Sequence, residues 1–186
     1  KYLHDGDPTA GTLHRLRLLS VALSAGTIVC VYLMGAVSGI VSRLAAAIAA
    51  GVAAFIPQFS FVSGSLNNDN LANLLSAATL TCLVFGMRAG AGLRPWGLAG
   101  LFTGLGLLTK FTGLAMIPCG LFAMWIHRGA GRQRAAVAFL VPALLTPAPL
   151  LIRNAMVLGD ALGAGAQVRT LPNLLDPKGL SDAYFV

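Results

Sequence analysis

Four charged side chains are the strongest candidates for chemistry in this chain of 186 residues: Asp69, Lys110, Arg153 and Asp160. Asp69 stands in a loop of small and amide side chains without a basic residue, residues 63–70 (Ser-Gly-Ser-Leu-Asn-Asn-Asp-Asn). A carboxylate of this kind suits a divalent metal ion held against a phosphate, or a sugar hydroxyl. Lysine and arginine neutralise a phosphate or pyrophosphate leaving group. One carboxylate with two cations therefore suits an anionic, phosphate-linked substrate.

Each of these residues also has a purely structural interpretation. Asp69 and the two asparagines before it suit the N-cap of the helix that follows. Lys110 suits a side chain that extends its ammonium group to a membrane interface, and Arg153 suits an anchor at such an interface. Asp160 suits a turn. None of the four is specific alone, so their common location decides between the interpretations.

The composition places these residues in a membrane protein. Apolar residues make up 56% of the chain, charged residues make up 10%, and the mean hydropathy is +0.78. Because a soluble domain carries about 25% charged residues, this chain has too few to cover a water-facing surface. The net charge of +7 does not indicate nucleic-acid binding, since most Lys and Arg stand singly at the ends of apolar runs. An ordinary soluble enzyme, a disordered tail and a nucleic-acid binder are excluded.

Six uncharged stretches predict an all-α fold, a polytopic transmembrane helix bundle of about six spanning helices. A span needs about 20 apolar residues, because the hydrocarbon core is about 30 Å thick. Residues 95–109 and 111–127 are short, but joining them would bury Lys110 at membrane depth, so two helices are expected there. The six stretches are residues 18–42, 44–68, 70–87, 95–109, 111–127 and 135–152.

The basic residues predict the orientation of the helices. Alternate loops between the stretches carry arginine, and the positive-inside rule places these loops in the cytoplasm. All six carboxylates of the chain, which are all aspartates, then fall on the opposite side with the four candidate residues. The expected location is a plasma (bacterial inner) membrane with an extracytoplasmic active face. The arginines of the inner loops are Arg43, Arg88, Arg94, Arg128, Arg132 and Arg134.

The chain divides into three predicted segments. Residues 1–14 are the tail of an extracytoplasmic loop, residues 15–153 form the transmembrane helical domain, and residues 154–186 begin an extracytoplasmic segment. The first segment is polar and is preceded by neither Met nor a signal peptide. The chain is therefore expected to be a fragment of a longer membrane protein.

Four motifs in order resemble the polytopic GT-C-type glycosyltransferases that use a polyprenyl-phosphate sugar donor. The resemblance is to the protein O-mannosyltransferase-like and aminoarabinose-transferase-like groups, and it covers about residues 15–163. The Asn-Asn-Asp loop is the most specific of these motifs. They are Phe-Ile-Pro-Gln-Phe at 55–59 with the loop at 63–69, Gly-Leu-Gly-Leu-Leu-Thr-Lys at 104–110, Arg-Asn at 153–154, and Gly-Asp-Ala-Leu-Gly at 159–163.

The resemblance implies a role for each candidate. Asn68 and Asp69 match the acidic outer loop near the donor phosphate or a divalent metal ion, which would be the cofactor. Lys110 matches a lysine close to the phosphate, Arg153 a residue at the outer mouth of the cavity, and Asp160 a further substrate-binding residue. The implied partners are membrane lipid and a polyprenyl-phosphate-linked sugar, and the acceptor stays open.

One departure from the family concerns the catalytic base. In this family the first outer loop carries an acidic residue that deprotonates the acceptor hydroxyl. This chain has no Glu, and Asp5 and Asp7 stand near the tail of that loop without matching its motif. The base is therefore expected upstream of Lys1, and the 186 residues alone are expected to be inactive.

Two functions of other classes remain as alternatives. A small transporter subunit or permease would use short helices interrupted by Gly and Pro to line a solute site. A non-catalytic membrane scaffold would need Asp69 only as a cap and Lys110 only at the interface. The charged groups gather at predicted helix ends, whereas a transport site is expected near the bilayer midplane. Their position favours the enzyme.

Overall fold

The computed structural model describes residues 8–39, 41–127 and 131–161, and all regular structure in these ranges is helical. The predicted all-α class is confirmed there. Asp5, Asp7 and most of the predicted segment 154–186 lie outside the described residues. The helices are α1 (Pro8–Ser38), α2 (Arg43–Ala54), α3 (Pro57–Ser63), α4 (Asp69–Gly86), α5 (Arg94–Thr109), a 3-10 helix (Phe111–Ala115), α6 (Met116–Ile126), α7 (Arg132–Leu145) and α8 (Ala148–Leu158).

Among the described residues one helix, Gly11–Ser38 within α1, is long and apolar enough to cross a membrane by itself. The pairs α2–α3 and α7–α8 are each broken, and counting each pair as one span gives up to three spans. The helices α4 and α5 hold 18 and 16 residues, which is about 27 and 24 Å of rise, slightly below the thickness of the hydrocarbon core. Each predicted stretch contains helix, but six full spans are not confirmed.

Proline explains why residues 44–68 do not form the single helix that was expected. Ile56 precedes Pro57 and adopts an extended conformation (ψ 119°), because the proline ring disfavours a helical residue before it. Pro57 then begins α3, a position where its missing N–H costs nothing. The axes of α2 and α3 consequently meet at 67°.

The helices of residues 1–146, which form one compact unit, pack as neighbours in the order α2, α1, α4, α5 and α7, while α6 contacts α4, α5 and α7. The helix α8 belongs to the second unit, residues 147–186. Close packing of α5 on α7 depends on small residues, as in other membrane helix pairs. A Cβ atom at Gly104 would lie 2.7 Å from the Cβ atom of Thr146.

The apolar core lies at one end of the α4–α5 pair. Leu83 near the end of α4 and Trp96 near the start of α5 are buried there with Phe139 of α7. The chain turns between α4 and α5 at Gly90, whose φ of +78° is in the left-handed region that favours glycine. The two helices therefore run in opposite directions, and the start of α4 lies next to the end of α5, away from this core.

Candidate functional site

The antiparallel packing of α4 and α5 brings two of the predicted residues into contact. Asp69 is the first residue of α4, and Lys110 is the residue directly after α5. The Lys110 ammonium Nζ forms an ion pair with Asp69 Oδ1. The two side chains keep 42% and 32% of their surface exposed, so a ligand can reach both charges.

Asn67 orients the Asp69 carboxylate. Its side-chain oxygen accepts a hydrogen bond of 3.0 Å from the backbone N–H of Asp69, and its Nδ2 donates one of 2.9 Å to Asp69 Oδ2. Asn67 therefore caps the first N–H of α4, and the Asp69 carboxylate contacts Lys110 instead of capping the helix. Asn68 donates from Nδ2 to the backbone oxygen of Thr109 at 3.3 Å, which ties the loop to the end of α5.

A break in the helical backbone places Lys110. Its extended conformation (φ −158°, ψ 144°) separates α5 from the 3-10 helix. The two short stretches are therefore separate helices, which agrees with the prediction from the sequence. Gly113 lets the 3-10 helix fold back closely on α5, since a Cβ atom at this position would lie 2.6 Å from the carbonyl carbon of Gly106. This close approach keeps Lys110 beside the start of α4.

Asn70 holds the other side of the loop, and it was not among the predicted site residues. It is 1% exposed. Its Nδ2 donates to the backbone oxygens of Val62 (3.1 Å) and Ser65 (3.2 Å), and its Oδ1 accepts from Ser24 of α1 (3.2 Å). An amide side chain offers two donors and an acceptor, and here all of them are used. The amide-rich composition of the loop was the only sequence signal for it.

The electrostatics of the pair favour an ionised Asp69. The hydrogen bond from Lys110 holds the pKa of the Asp69 carboxyl below its ordinary value, and the bond from Asn67 and the charge of Lys110 act in the same direction. Partial loss of water around the carboxyl opposes them but is the smaller effect. At neutral pH the site therefore presents one anion and one cation in contact.

The ion pair stands at an open cavity of about 610 Å³. The wall from α4 is mainly polar, since Asp69, Asn73 and Ser76 line it with Ala72. The other lining residues form a second, mainly apolar wall, to which Gln58, Thr112 and Lys110 add polar groups. The apolar residues of this second wall are Ile56, Phe59, Val62 and Met116.

The donor atoms around Asp69 limit the kind of metal site that is possible. In the part of the chain that the structure describes, no three His, Cys, Asp or Glu side chains come together to hold a metal ion. Mg²⁺ commonly binds one or two carboxylates, phosphate oxygens and several waters. Asp69 therefore fits a hydrated divalent ion shared with a phosphate, and not a site built from protein ligands alone.

Two of the predicted residues lie in the second unit. Arg153 is an exposed residue of α8, and Asp160 follows Gly159, whose φ of 68° ends that helix. The structure brings Asn68, Asp69 and Lys110 together. The participation of Arg153 and Asp160 in the same site stays a prediction, and Leu162 and Gly163 of their motif lie outside the described residues.

Comparison with known proteins gives one match. A family model described as dolichyl-phosphate-mannose-protein mannosyltransferase matches residues 10–152, a range that contains Asn68, Asp69 and Lys110. Comparisons with curated proteins and with solved structures found no match.

Proposed function

The chain belongs to the dolichyl-phosphate-mannose-protein mannosyltransferase family, and on this premise we propose that it carries the donor-binding part of an integral membrane glycosyltransferase with a six-span, GT-C-type fold. The enzyme transfers a sugar from a polyprenyl-phosphate donor to an acceptor on the extracytoplasmic side of a plasma (bacterial inner) membrane. One observation carries the proposal: the exposed Asp69–Lys110 ion pair stands at a cavity with one polar and one apolar wall.

The reaction defines what the site must supply. The acceptor oxygen attacks the anomeric carbon, the bond from that carbon to the phosphate oxygen breaks, and polyprenyl phosphate leaves with the bonding electrons. A base takes the acceptor proton, and we assign no described residue to that step. Negative charge grows on the leaving phosphate, so a fixed cation there lowers the barrier. Lys110 is that cation.

Asp69 supports the same step through Lys110. Its carboxylate keeps the Lys110 ammonium in place before the donor binds. An ammonium group has three donors, so Lys110 can bind a phosphate oxygen while it still contacts Asp69. Asp69 is the residue that would hold a divalent metal ion, which would supply positive charge beside the phosphate. Such an ion would neutralise charge on the leaving group. Arg153 and Asp160 stay candidates for substrate binding in the whole enzyme.

The apolar wall suits the isoprenoid chain of the donor. Phe59 and Val62 of α3 face the cavity with Ile56 and Met116. A lipid tail that enters this wall leaves a bilayer that is equally apolar, so its burial adds little affinity. These contacts therefore orient the donor, with its phosphate at Lys110.

A charge-exchange experiment tests the proposal in the full-length protein. Lys110→Met and Asp69→Asn each remove one charge, and we expect sugar transfer to fall by about 10²–10³, the usual loss for an electrostatic stabiliser. The double variant Asp69→Lys/Lys110→Asp restores an ion pair with the charges exchanged, and its transfer should remain low. Radiolabelled donor and membrane extracts that contain the acceptor give the rate.

Three results would contradict the proposal. Transfer near the wild-type level in the single variants removes the pair from the site. Recovery of transfer in the exchanged double variant makes the pair a structural contact, as the scaffold alternative requires. Loss of solute uptake in proteoliposomes with unchanged sugar transfer supports the permease alternative.

A further inference from the structure

Three residues of α4 form a polar stripe along one wall of the cavity. Asp69, Asn73 and Ser76 stand at positions i, i+4 and i+7, which lie on the same face of a helix. All three line the cavity. Seven residues of helix rise about 10 Å, so the stripe extends about 10 Å from the ion pair toward the middle of α4.

The position of this stripe in a membrane helix points to a polar ligand. Asn73 is exposed and Ser76 is half-exposed, and in the described ranges neither side chain has a hydrogen bond to another protein group. Facing lipid, an amide without a partner would cost several kcal/mol. Facing the cavity, its donors and acceptor are available to a ligand.

The chemistry of the stripe selects hydroxyl groups. An amide offers two donors and an acceptor, and a serine hydroxyl offers a donor and two acceptor lone pairs. Neither carries charge, so a phosphate gains more from Lys110 than from these side chains. A sugar, whose hydroxyl groups both donate and accept, matches Asn73 and Ser76 in a way that the isoprenoid chain does not.

We propose that Asn73 and Ser76 form a subsite that hydrogen-bonds the hydroxyl groups of the donor's sugar, while the phosphate of the same donor is held at Lys110. This inference rests on the proposed function and adds which part of the donor enters the cavity. A hydroxyl-bearing acceptor shares the same chemistry, so the experiment compares lipids that differ only in the sugar and contain no acceptor.

Binding of two lipids to the full-length protein in nanodiscs tests the subsite. The probes are polyprenyl-phosphate mannose and polyprenyl phosphate without sugar. The wild-type protein should bind the glycosylated lipid about tenfold more tightly, which corresponds to one or two hydrogen bonds. The double variant Asn73→Leu/Ser76→Ala should lose this difference and keep its affinity for polyprenyl phosphate. The single variants Asn73→Ala and Ser76→Ala repeat the test with smaller changes in case the double variant unfolds.

Gln133→Leu is the matched control, because it removes an exposed amide from α7 that does not line this cavity. Its sugar selectivity should equal that of the wild type. Equal binding of both lipids by the wild type, or selectivity that survives in the Asn73 and Ser76 variants, overturns the subsite. Failure of the proposed function would give a different result: polyprenyl phosphate itself would not bind, or it would bind to Lys110→Met as tightly as to the wild type.

Transfer assays distinguish a subsite for the acceptor from one for the donor. If Asn73 and Ser76 bound the acceptor, their variants would raise the KM of the acceptor alone.

Discussion

Ser24 in α1 donates a hydrogen bond of 3.2 Å to the side-chain oxygen of Asn70, 46 residues further along the chain. Both side chains are buried. The amide nitrogen of Asn70 donates in turn to the backbone oxygens of Val62 in α3 and of Ser65 in the loop that leads to Asp69. A buried polar contact between α1 and α4 thus continues into the segment that leads to Asp69.

Asn70→Ala should destabilise the protein more than Ser24→Ala. The asparagine variant removes the buried hydrogen bond from Ser24 and two part-buried ones to Val62 and Ser65, so we expect a loss of about 2 kcal/mol. The serine variant removes one interhelical hydrogen bond, which is worth about 0.6 kcal/mol in membrane proteins. Thermal unfolding in detergent measures both. Equal losses would show that the loop does not depend on Asn70.

The pH dependence of stability should change when Lys110 is replaced. In the wild type the folded-state pKa of Asp69 is below its ordinary value of 3.8. The stabilisation is therefore complete above that value and is lost only as the pH falls through the lowered pKa. In Lys110→Met the main cause of the lowering is gone, so this pH-dependent stabilisation should largely disappear. Infrared spectroscopy of the Asp69 carboxyl gives its titration, and protonation at the same pH in both proteins would refute the coupling.

Two glycines that face each other should respond differently to alanine. A Cβ atom at Gly113 would meet backbone atoms of Gly106 and Leu107 at 2.6 and 2.7 Å, whereas a Cβ atom at Gly106 would lie 3.9 Å from the nearest atom of Gly113. Gly113→Ala should push the 3-10 helix away from α5, move Lys110 from Asp69 and weaken donor binding at least tenfold. Gly106→Ala is the control and should bind like the wild type. Normal binding by Gly113→Ala would mean that this close approach does not position Lys110.

The packing of α5 on α7 offers a second matched pair. Gly104→Ala should cost about 1–3 kcal/mol, the usual range for overpacking, because its Cβ atom would lie 2.7 Å from Thr146 and 3.0 Å from the backbone oxygen of Pro142. Gly97→Ala on the same helix makes only an ordinary contact of 3.8 Å with Ala138 and should be neutral. Thermal unfolding compares them. Equal stability of the two variants would show that the close packing of α5 on α7 does not depend on Gly104.

Cysteine labelling in intact cells tests the predicted orientation. After Cys30, Cys82 and Cys119 are replaced by alanine, Gly64→Cys should react with a membrane-impermeant maleimide added outside. Ala91→Cys, in the turn between α4 and α5, should react only after the membrane is opened. Both positions are exposed, so their difference reports the side of the membrane. Labelling of both from outside would contradict the positive-inside assignment.

The contact between Asp69 and Lys110 was predictable in outline. Charged residues at helix ends on the same predicted side of the membrane are expected to lie near one another. The short basic turn after α4 indicates that α5 is its antiparallel neighbour. The choice of Asn67 over Asn68 was not predictable, because which of two adjacent amides reaches a carboxylate depends on backbone angles that neither residue type fixes.

Asn70 and the polar stripe show where sequence patterns were insufficient. Polar residues at i, i+4 and i+7 of an apolar helix share a face, but the sequence does not say whether that face meets protein, lipid or a cavity. The break at Pro57 was available from the sequence, since proline disfavours a helical residue before it. The length of the uncharged stretch 44–68 nevertheless favoured the prediction of a single helix.

The turn at Gly90 also bears on the order in which the protein is made. Because α4 and α5 are consecutive and antiparallel, they form one helical hairpin. The Asp69 carboxylate and the Lys110 ammonium lie at its two ends, on the same side of the membrane. Apart from the 3-10 helix that keeps Lys110 in place, the contact is made without a side chain from α6 or α7. During synthesis the two charges can therefore neutralise each other as soon as the hairpin has been inserted, and α6 and α7 are then added to a centre whose charges are already balanced.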